Sequence, residues 1–256
     1  MARVLVCVKR VPDTAGEILL TDDQLDVDAR YVGYTVSPHE SCAVEMAVRI
    51  AQATDGEATV FTLGPAEAVE QLRDALAVGC TAAVHVEADG RAFGPADVAR
   101  EVAEVVRRHS DAGTPYDLVV LGNDAADTGD FQVGIRLAHL LGWPVVTGIS
   151  TVEVSGETLT ARGDGPESTE VFEMPLPAVV TVMEGGVEPR YPSIPGRMKA
   201  KRVPIETVQP SAEPVGSGRV RLTVPPAPPS QVQVLGSGPE AAPAVVDLLE
   251  KLGVTR

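Results

Sequence analysis

RVLVCVK, residues 3–9, is a continuous apolar run near the start of the chain and is rich in β-branched residues. Runs of this kind predict a strand that is covered on both faces, as in a parallel sheet. A helix start follows at Ser37, with a proline at the next position and with Glu40 placed to close a capping box. This strand-to-helix step predicts a βαβ unit and, with it, the α/β class of fold.

The same alternation continues along the chain. Strands are predicted at residues 58–63, 82–86 and 117–121, and helices at residues 66–78, 95–109 and about 130–141. Residues 145–154 are extended, and short runs at 157–160 and 169–172 predict an antiparallel addition at the sheet edge. We therefore predict an α/β fold with a mostly parallel, doubly wound, Rossmann-like sheet.

Composition narrows the classes of function. The chain has 256 residues, 44% of them hydrophobic, which is enough for a sizeable core. An aromatic content of 4% and a formal net charge of -15 argue against nucleic-acid binding. Cys7, Cys42 and Cys80 form no paired motif, so neither a disulfide nor a metal site is predicted. Without a long apolar run or a signal-peptide pattern, we expect no membrane insertion and a cytoplasmic location.

The least generic stretch is residues 184–206, EGGVEPRYPSIPGRMKAKRVPIE. Pro189, Pro192 and Pro195 recur at every third position, which fixes φ and predicts a stiff, non-helical arm. Ile194 lies between two of these prolines, and a basic run at residues 197–202 follows. Two interpretations stay open, a surface loop whose isoleucine packs on its own domain and an arm that recognises a partner protein. We call residues 184–202 the recognition arm.

Beyond residue 202 the composition shifts to proline, serine and glycine, with a proline-rich spacer at residues 225–229. One short amphipathic helix is predicted at residues 240–252. We therefore divide the chain into an α/β domain, residues 1–202, which includes the recognition arm, and an extended C-terminal arm, residues 203–256. A helix this short is marginal in water on its own, so it needs a surface to pack on.

Ligands of open parallel sheets bind beyond the carboxyl ends of the strands, where the strand order reverses. Three loops qualify: the turn after Lys9, residues 62–65, and residues 122–134 (GNDAADTGDFQVG). The last loop leads into a helix whose N-terminal amides are able to hold a phosphate. A polar strand-to-helix turn remains the alternative, since the aspartates of this loop would repel an anion.

Catalytic groupings are not predicted. The four histidines, at positions 39, 85, 109 and 139, lie on separate elements, and their spacing forms no nucleophile and base arrangement. His85 lies in an apolar strand and Cys7 in a buried one, which favours packing roles for both.

EPRYPSIP at residues 188–195, followed by MKAK at residues 198–201, closely resembles the signature of the β subunits of electron transfer flavoproteins. Further blocks agree at residues 8–14, 72–79, 117–122 and 176–181, so the resemblance covers about residues 3–206. It implies a heterodimeric electron carrier, not an enzyme. Such a carrier takes electrons from flavin dehydrogenases of the acyl-CoA type or similar, as in fatty acid oxidation. It passes them to a quinone reductase (ETF-quinone oxidoreductase or an equivalent acceptor).

The resemblance also implies the cofactors: FAD held mainly by an α subunit, and AMP in this chain, with the C-terminal arm packed on the α subunit. The cofactor contacts would fall on Cys7, Thr14, Ser37, Pro38, His39, Glu40, Leu63, Asn123, Asp127, Thr128, Gly129, Asp130, Phe131, Gln132, Val133 and Gly134. Of these, Thr14 would lie near the isoalloxazine ring. Partner-binding residues would be Arg190, Tyr191, Ile194, Met198 and Lys199, with Ile194 in place of the leucine that these subunits insert into an apolar pocket on dehydrogenases.

Two departures from the family pattern leave the nucleotide open. Phe131 stands where many members have asparagine, and Val133 where they have threonine. A Gln-Val-Gly sequence resembles the branch in which a second FAD replaces AMP and electrons are bifurcated. A further alternative is a homo-oligomeric sensor that binds adenine nucleotides on the same fold, and it predicts a colourless protein that is complete on its own.

Overall fold

Seven parallel strands form the central sheet of the chain, which the computed structural model describes over residues 1–13, 15–16, 18–226 and 232–254. In chain order the strands are β1 Arg3–Cys7, β2 Val11–Pro12, β3 Tyr34–Thr35, β4 Glu57–Gly64, β5 Ala82–Glu87, β6 Leu118–Gly122, β7 Val145–Ile149, β8 Thr151–Ser155, β9 Thr158–Asp164, β10 Thr169–Pro175, β11 Ala178–Val182 and β12 Ile205–Val208. The helices are α1 Pro38–Ala53, α2 Val69–Val78, α3 Pro95–Asp111, α4 Val133–Leu141, α5 Ile194–Ala200 and α6 Ala242–Lys251.

The central sheet has the order β12-β5-β4-β1-β6-β11-β7, with every neighbouring pair parallel. From β1 the chain adds β4 and β5 on one side and later β6 and β11 on the other. The strand order therefore reverses between β1 and β6, which is where such folds bind ligands. The predicted α/β class with a mostly parallel sheet is confirmed.

Helices cover both faces of this sheet and form two separate cores. Val4 and Val6 of β1 pack in the core that contains α1 and α2, whereas Leu5 and Cys7 pack in the core that contains α3 and α4. The alternation explains why β1 is a continuous apolar run. The predicted capping box starts α1, since the Glu40 amide donates to Ser37 Oγ at 3.2 Å and the Ser37 amide donates to Glu40 Oε2 at 3.1 Å.

The predicted antiparallel addition is confirmed, and its strands follow the edge strand β7 of the central sheet. They form a sheet of their own in the order β10-β9-β8 and do not join the edge of the central sheet. Gly148, with a φ of 68°, bends the end of β7, and β8 then pairs with β9. The chain thus leaves the central sheet at its edge strand before the antiparallel sheet begins.

The recognition arm contains the helix α5, so the prediction of a non-helical arm was wrong for its second half. Ser193 caps the short helix α5 by accepting a hydrogen bond from the Gly196 amide at 3.1 Å. Pro195 lies in the first turn of α5, where the missing N–H of proline costs no helical hydrogen bond. The proline spacing therefore predicts extended backbone only before residue 194.

The chain forms two compact units, Met1–Leu222 and Thr223–Arg256. Within the first unit, β12 pairs with β5 at the edge of the central sheet, an element that the sequence analysis did not predict. The second unit contains α6 within the predicted helical range. Residues 227–229 of the predicted spacer, like Thr14, lie outside the described residues. No helix among the described residues has both the length and the apolar character to cross a bilayer.

Candidate functional site

A cleft of about 840 Å³ opens at the carboxyl ends of β1, β4 and β6, beside the point where the strand order reverses. All three predicted loops contribute to its walls. The predicted residues that line it are Cys7, Glu40, Leu63, Asn123, Asp127, Thr128, Asp130, Phe131, Gln132, Val133 and Gly134. Ser37, Pro38, His39 and Gly129 do not line it, and Ser37 is buried as the cap of α1.

Glu40 forms part of the cleft wall and is itself buried. Its carboxylate accepts hydrogen bonds from the backbone amides of Lys9 at 2.7 Å and Ser37 at 3.1 Å. Burial raises the pKa of Glu40 to about 7, and these two bonds only partly oppose the shift. Glu40 thus ties the end of β1 to the start of α1.

Cys7 borders the cleft as the last residue of β1. Burial, and to a lesser degree the nearby Glu40 carboxylate, raises the pKa of its thiol far above the ordinary value. A thiol that stays protonated is a poor nucleophile, so Cys7 serves as a small packing residue.

One aspartate of the loop at residues 122–134 pairs with a lysine, which reduces the expected repulsion of an anion. Lys9 Nζ lies 2.7 Å from Asp127 Oδ1, and Thr128 Oγ1 donates to Asp130 Oδ2 at 2.6 Å. His39 Nδ1 lies 3.3 Å from Asp124 Oδ1 without forming a hydrogen bond. The sequence could not show this pairing, because Lys9 and His39 are far from the loop along the chain.

Donors for a phosphate group lie at both ends of this loop. Helix α4 begins at Val133, later than the predicted residue 130, because Phe131 has a left-handed φ of 49°. The first amides of α4 have no partner within the helix, as at every helix start. The side-chain oxygen Oδ1 of Asn123 accepts a hydrogen bond from Thr181 Oγ1 at 2.7 Å. This bond orients the side chain and, within the part of the chain described, leaves its side-chain nitrogen Nδ2 free. Helix-start amides of this kind bind phosphate groups in proteins.

Gly134 is a packing residue as well as a lining residue. A Cβ atom at this position would lie 2.4 Å from Thr181 Cγ2 on β11. Only glycine therefore permits α4 to approach the central sheet this closely.

Several lining residues were missed by the sequence analysis: Arg10, Tyr34, Asp89, Arg91 and Arg219. Arg10 stacks on the ring of Tyr34, with 3.4 Å between its guanidinium carbon and the ring centroid. Arg10 and Asp89 lie just after β1 and β5. Because ligands of parallel sheets bind beyond the carboxyl ends of the strands, this position would have predicted both as lining residues. Arg219 is far along the chain from the other lining residues, so no local sequence pattern indicates that it lines the cleft.

The recognition arm exposes its tip. Ile194 is 81% exposed and Tyr191 is 94% exposed, so Ile194 does not pack on its own domain. Met198 and Lys199 are also exposed. Arg190 differs from them because the carboxylate of Glu45 binds its guanidinium, with 2.7 Å between Nε and Oε2. Among the described residues, no cluster of histidine, cysteine and acidic side chains is suited to a metal ion.

Comparisons with known proteins identify relatives of this chain. The family described as "Electron transfer flavoprotein domain" matches residues 24–213. The electron transfer flavoprotein subunit beta of Homo sapiens is 37% identical over 212 residues, which are 81% of this chain and 81% of the human protein. The Bacillus subtilis subunit is 34% identical over 206 residues, 80% and 78% of the two chains. That of Syntrophomonas wolfei is 33% identical over 235 residues, 91% and 89% of the two chains. The chain therefore belongs to the electron transfer flavoprotein β-subunit family.

Proposed function

We propose that this chain is the β subunit of a heterodimeric electron transfer flavoprotein that carries electrons from flavin dehydrogenases of the acyl-CoA or a similar class to a quinone reductase. The observation that carries the proposal is the cleft beside the strand-order reversal, where Lys9 supplies a positive charge to Asp127 of the acidic loop. A cleft of this volume falls within the usual range of small-molecule sites. In this role the chain binds, orients and docks, and it makes or breaks no covalent bond.

We further propose that the cleft holds AMP and that an α subunit holds most of the FAD, the group that supplies the redox chemistry. Asn123 and the first amides of α4 would bind the phosphate of AMP. Lys9 would keep Asp127 turned away from that phosphate through its ion pair. The predicted place of Thr14 beside the flavin ring belongs to the same proposal.

A second candidate is the bifurcating type of the same subunit, with a second FAD in the cleft. Phe131 favours it, because this residue offers an aromatic face to the cleft in place of a hydrogen-bonding amide. The cleft also extends past the phosphate donors to Arg91 and Arg219, which leaves room for a ligand larger than AMP.

Acid extraction of the cofactors separates the two candidates. The chain is co-expressed with its α partner, and FAD and AMP are counted per heterodimer. One FAD with one AMP supports the carrier with AMP, and two FAD without AMP support the bifurcating type. A preparation that contains neither FAD nor AMP would overturn both.

Docking on the dehydrogenase is proposed to use Ile194. Burial of one aliphatic side chain contributes roughly 1.5 to 3 kcal/mol, which is about one to two decades in affinity. Ile194→Ala is expected to slow reduction of the heterodimer by an acyl-CoA dehydrogenase in stopped flow while the flavin spectrum stays unchanged. Val171→Ala, which truncates another exposed aliphatic side chain on β10, is the matched control. Wild-type rates for Ile194→Ala would remove the docking role.

A further inference from the structure

The recognition arm is held at its first end by a buried carboxylate. Glu45 lies on α1 with its side chain only 3% exposed. Its Oε2 atom accepts from Arg190 Nε at 2.7 Å, and its Oε1 atom accepts from Arg190 Nη2 at 2.9 Å. The backbone amide of Arg190 also donates to Glu45 Oε2, at 3.3 Å. One side chain thus fixes both the guanidinium and the backbone of the arm.

Two neighbours of Glu45 on α1 support the same segment. Cys42 Sγ donates to the carbonyl oxygen of Val187 at 3.4 Å, and Arg49 Nη2 donates to that of Glu188 at 3.4 Å. Residues 42, 45 and 49 are three and four positions apart, so they share one face of the helix. That face is a continuous support for residues 187–190.

The second end of the arm is held by α2. A Cβ atom on Gly196 would lie 2.3 Å from the carbonyl oxygen of Ala77, so α5 and α2 touch through their backbones. Arg73 donates to the carbonyl oxygens of Ala200 and Val203, and Arg197 lies 3.1 Å from Asp74. Tyr191 and Ile194 lie between the two supports and are exposed.

Stability alone does not explain a buried glutamate at this position. Removing a carboxylate from water is costly, and apolar residues of similar size often stabilise a protein as well or better. The best-attested use of a buried charge pair is to fix one geometry among several. A docking segment that is already ordered also loses less conformational entropy when a partner binds.

We infer that Glu45 is a positioning residue for partner docking: through Arg190 it fixes the root of the recognition arm so that Ile194 is presented ready for an apolar pocket on a partner protein. The inference rests on the proposed docking role of Ile194 and adds to it the group that sets its geometry.

The test uses the heterodimer with Glu45→Gln, which keeps the shape of the side chain and removes its charge. Hydrogen exchange of residues 187–193 is expected to become about tenfold faster. The concentration of heterodimer that gives half-maximal reduction by an acyl-CoA dehydrogenase should rise roughly threefold to tenfold, with an unchanged rate at saturation. Glu57→Gln, which breaks the surface pair with Arg3, is the matched control and should change neither quantity.

A double variant identifies the route of the effect. If Glu45 acts through Ile194, then Glu45→Gln combined with Ile194→Ala docks no worse than Ile194→Ala alone. Additive losses would overturn the inference. Wild-type docking by the single variant Glu45→Gln would also overturn it, provided that the single variant Ile194→Ala docks slowly. Wild-type docking by Ile194→Ala would instead overturn the proposed docking role itself. Should Glu45→Gln fail to fold, Arg190→Gln breaks the same pair from its more exposed side, and hydrogen exchange of residues 187–193 as slow as in the wild type would then overturn the inference.

Discussion

Glu40 couples the stability of the cleft wall to pH. Its pKa is raised by burial from an ordinary value of 4.5 to about 7, so the folded state binds a proton that the unfolded state has released. Its contribution to stability is fully present below about pH 4.5 and is lost as the pH rises through about 7.

We expect the free energy of unfolding to fall by about 2 kcal/mol between pH 5.5 and pH 8 through Glu40 alone. Thermal unfolding at several pH values measures the slope, and Glu40→Gln should remove this part of it. Glu57→Gln, a surface change of the same kind, should keep the wild-type slope. Equal slopes in wild type and Glu40→Gln would contradict the assignment.

Gly134 offers a second test at the scale of one residue. Gly134→Ala places a methyl group against Thr181 Cγ2, and overpacking of this kind costs about 1 to 3 kcal/mol. Thermal unfolding should therefore show a lower midpoint, and Thr181→Ser in the same chain should restore it. Serine removes the Cγ2 atom and keeps the hydroxyl that donates to Asn123. A double variant as unstable as Gly134→Ala would show that the contact is not the cause.

At the scale of elements, the segment after β12 is bound to the first turn of α3. Asp97 is fully buried and accepts from the backbone amides of Gly94 at 3.0 Å, Val215 at 2.9 Å and Gly216 at 2.8 Å. Burial raises its pKa, but these bonds and the one from Arg100 outweigh burial and hold the pKa of Asp97 below its ordinary value. The stabilisation is therefore present at neutral pH and is lost only as the pH falls into the acid range.

Asp97→Asn is expected to destabilise the folded chain by about 1 to 3 kcal/mol, because an amide nitrogen replaces one acceptor oxygen and leaves buried amides unpaired. Hydrogen exchange at residues 213–217 should become faster, while that of β1 stays slow. Asp111→Asn, at the exposed end of the same helix, serves as the control. Slow exchange at residues 213–217 in the Asp97 variant would show that other contacts hold this segment.

Local signals account for what the sequence predicted of these elements. The two-sided burial of β1 and the capping box at Ser37 depend on neighbours along the chain, so both were confirmed. The start of α5 was missed because the cap signal of Ser193 competes with the prolines around it. The attachment of residues 211–216 to α3 and the ion pair of Lys9 with Asp127 join distant segments, and no local pattern contains them.

At the scale of the whole molecule, the charge is unevenly distributed. The formal net charge is -15, yet the recognition arm ends in a basic run. Within the described residues, Arg197 pairs with Asp74, whereas Lys199, Lys201 and Arg202 are exposed and form no ion pair. The same surface therefore combines an apolar tip with free positive charge.

The second unit, Thr223–Arg256, is the basis of a prediction about assembly with the α subunit. Its helix α6 spans ten residues and has no buried residue, and the apolar side chains of Val245, Val246 and Leu248 on it and of Leu252 just after it are exposed. A helix of this length is marginal in water without a surface to pack on. We propose that the α subunit supplies that surface, so chain and α subunit are expected to fold this element together.

The chain expressed alone should then carry less than stoichiometric FAD, and the amides of residues 242–251 should exchange at close to the rate of an unfolded chain. Co-expression with the α subunit should protect these amides and bring one flavin per heterodimer. Leu248→Asp should weaken the heterodimer by placing a charge in the apolar contact, whereas Glu250→Gln on the same helix should not. A chain that holds stoichiometric FAD without an α subunit, with α6 already protected, would contradict this assembly.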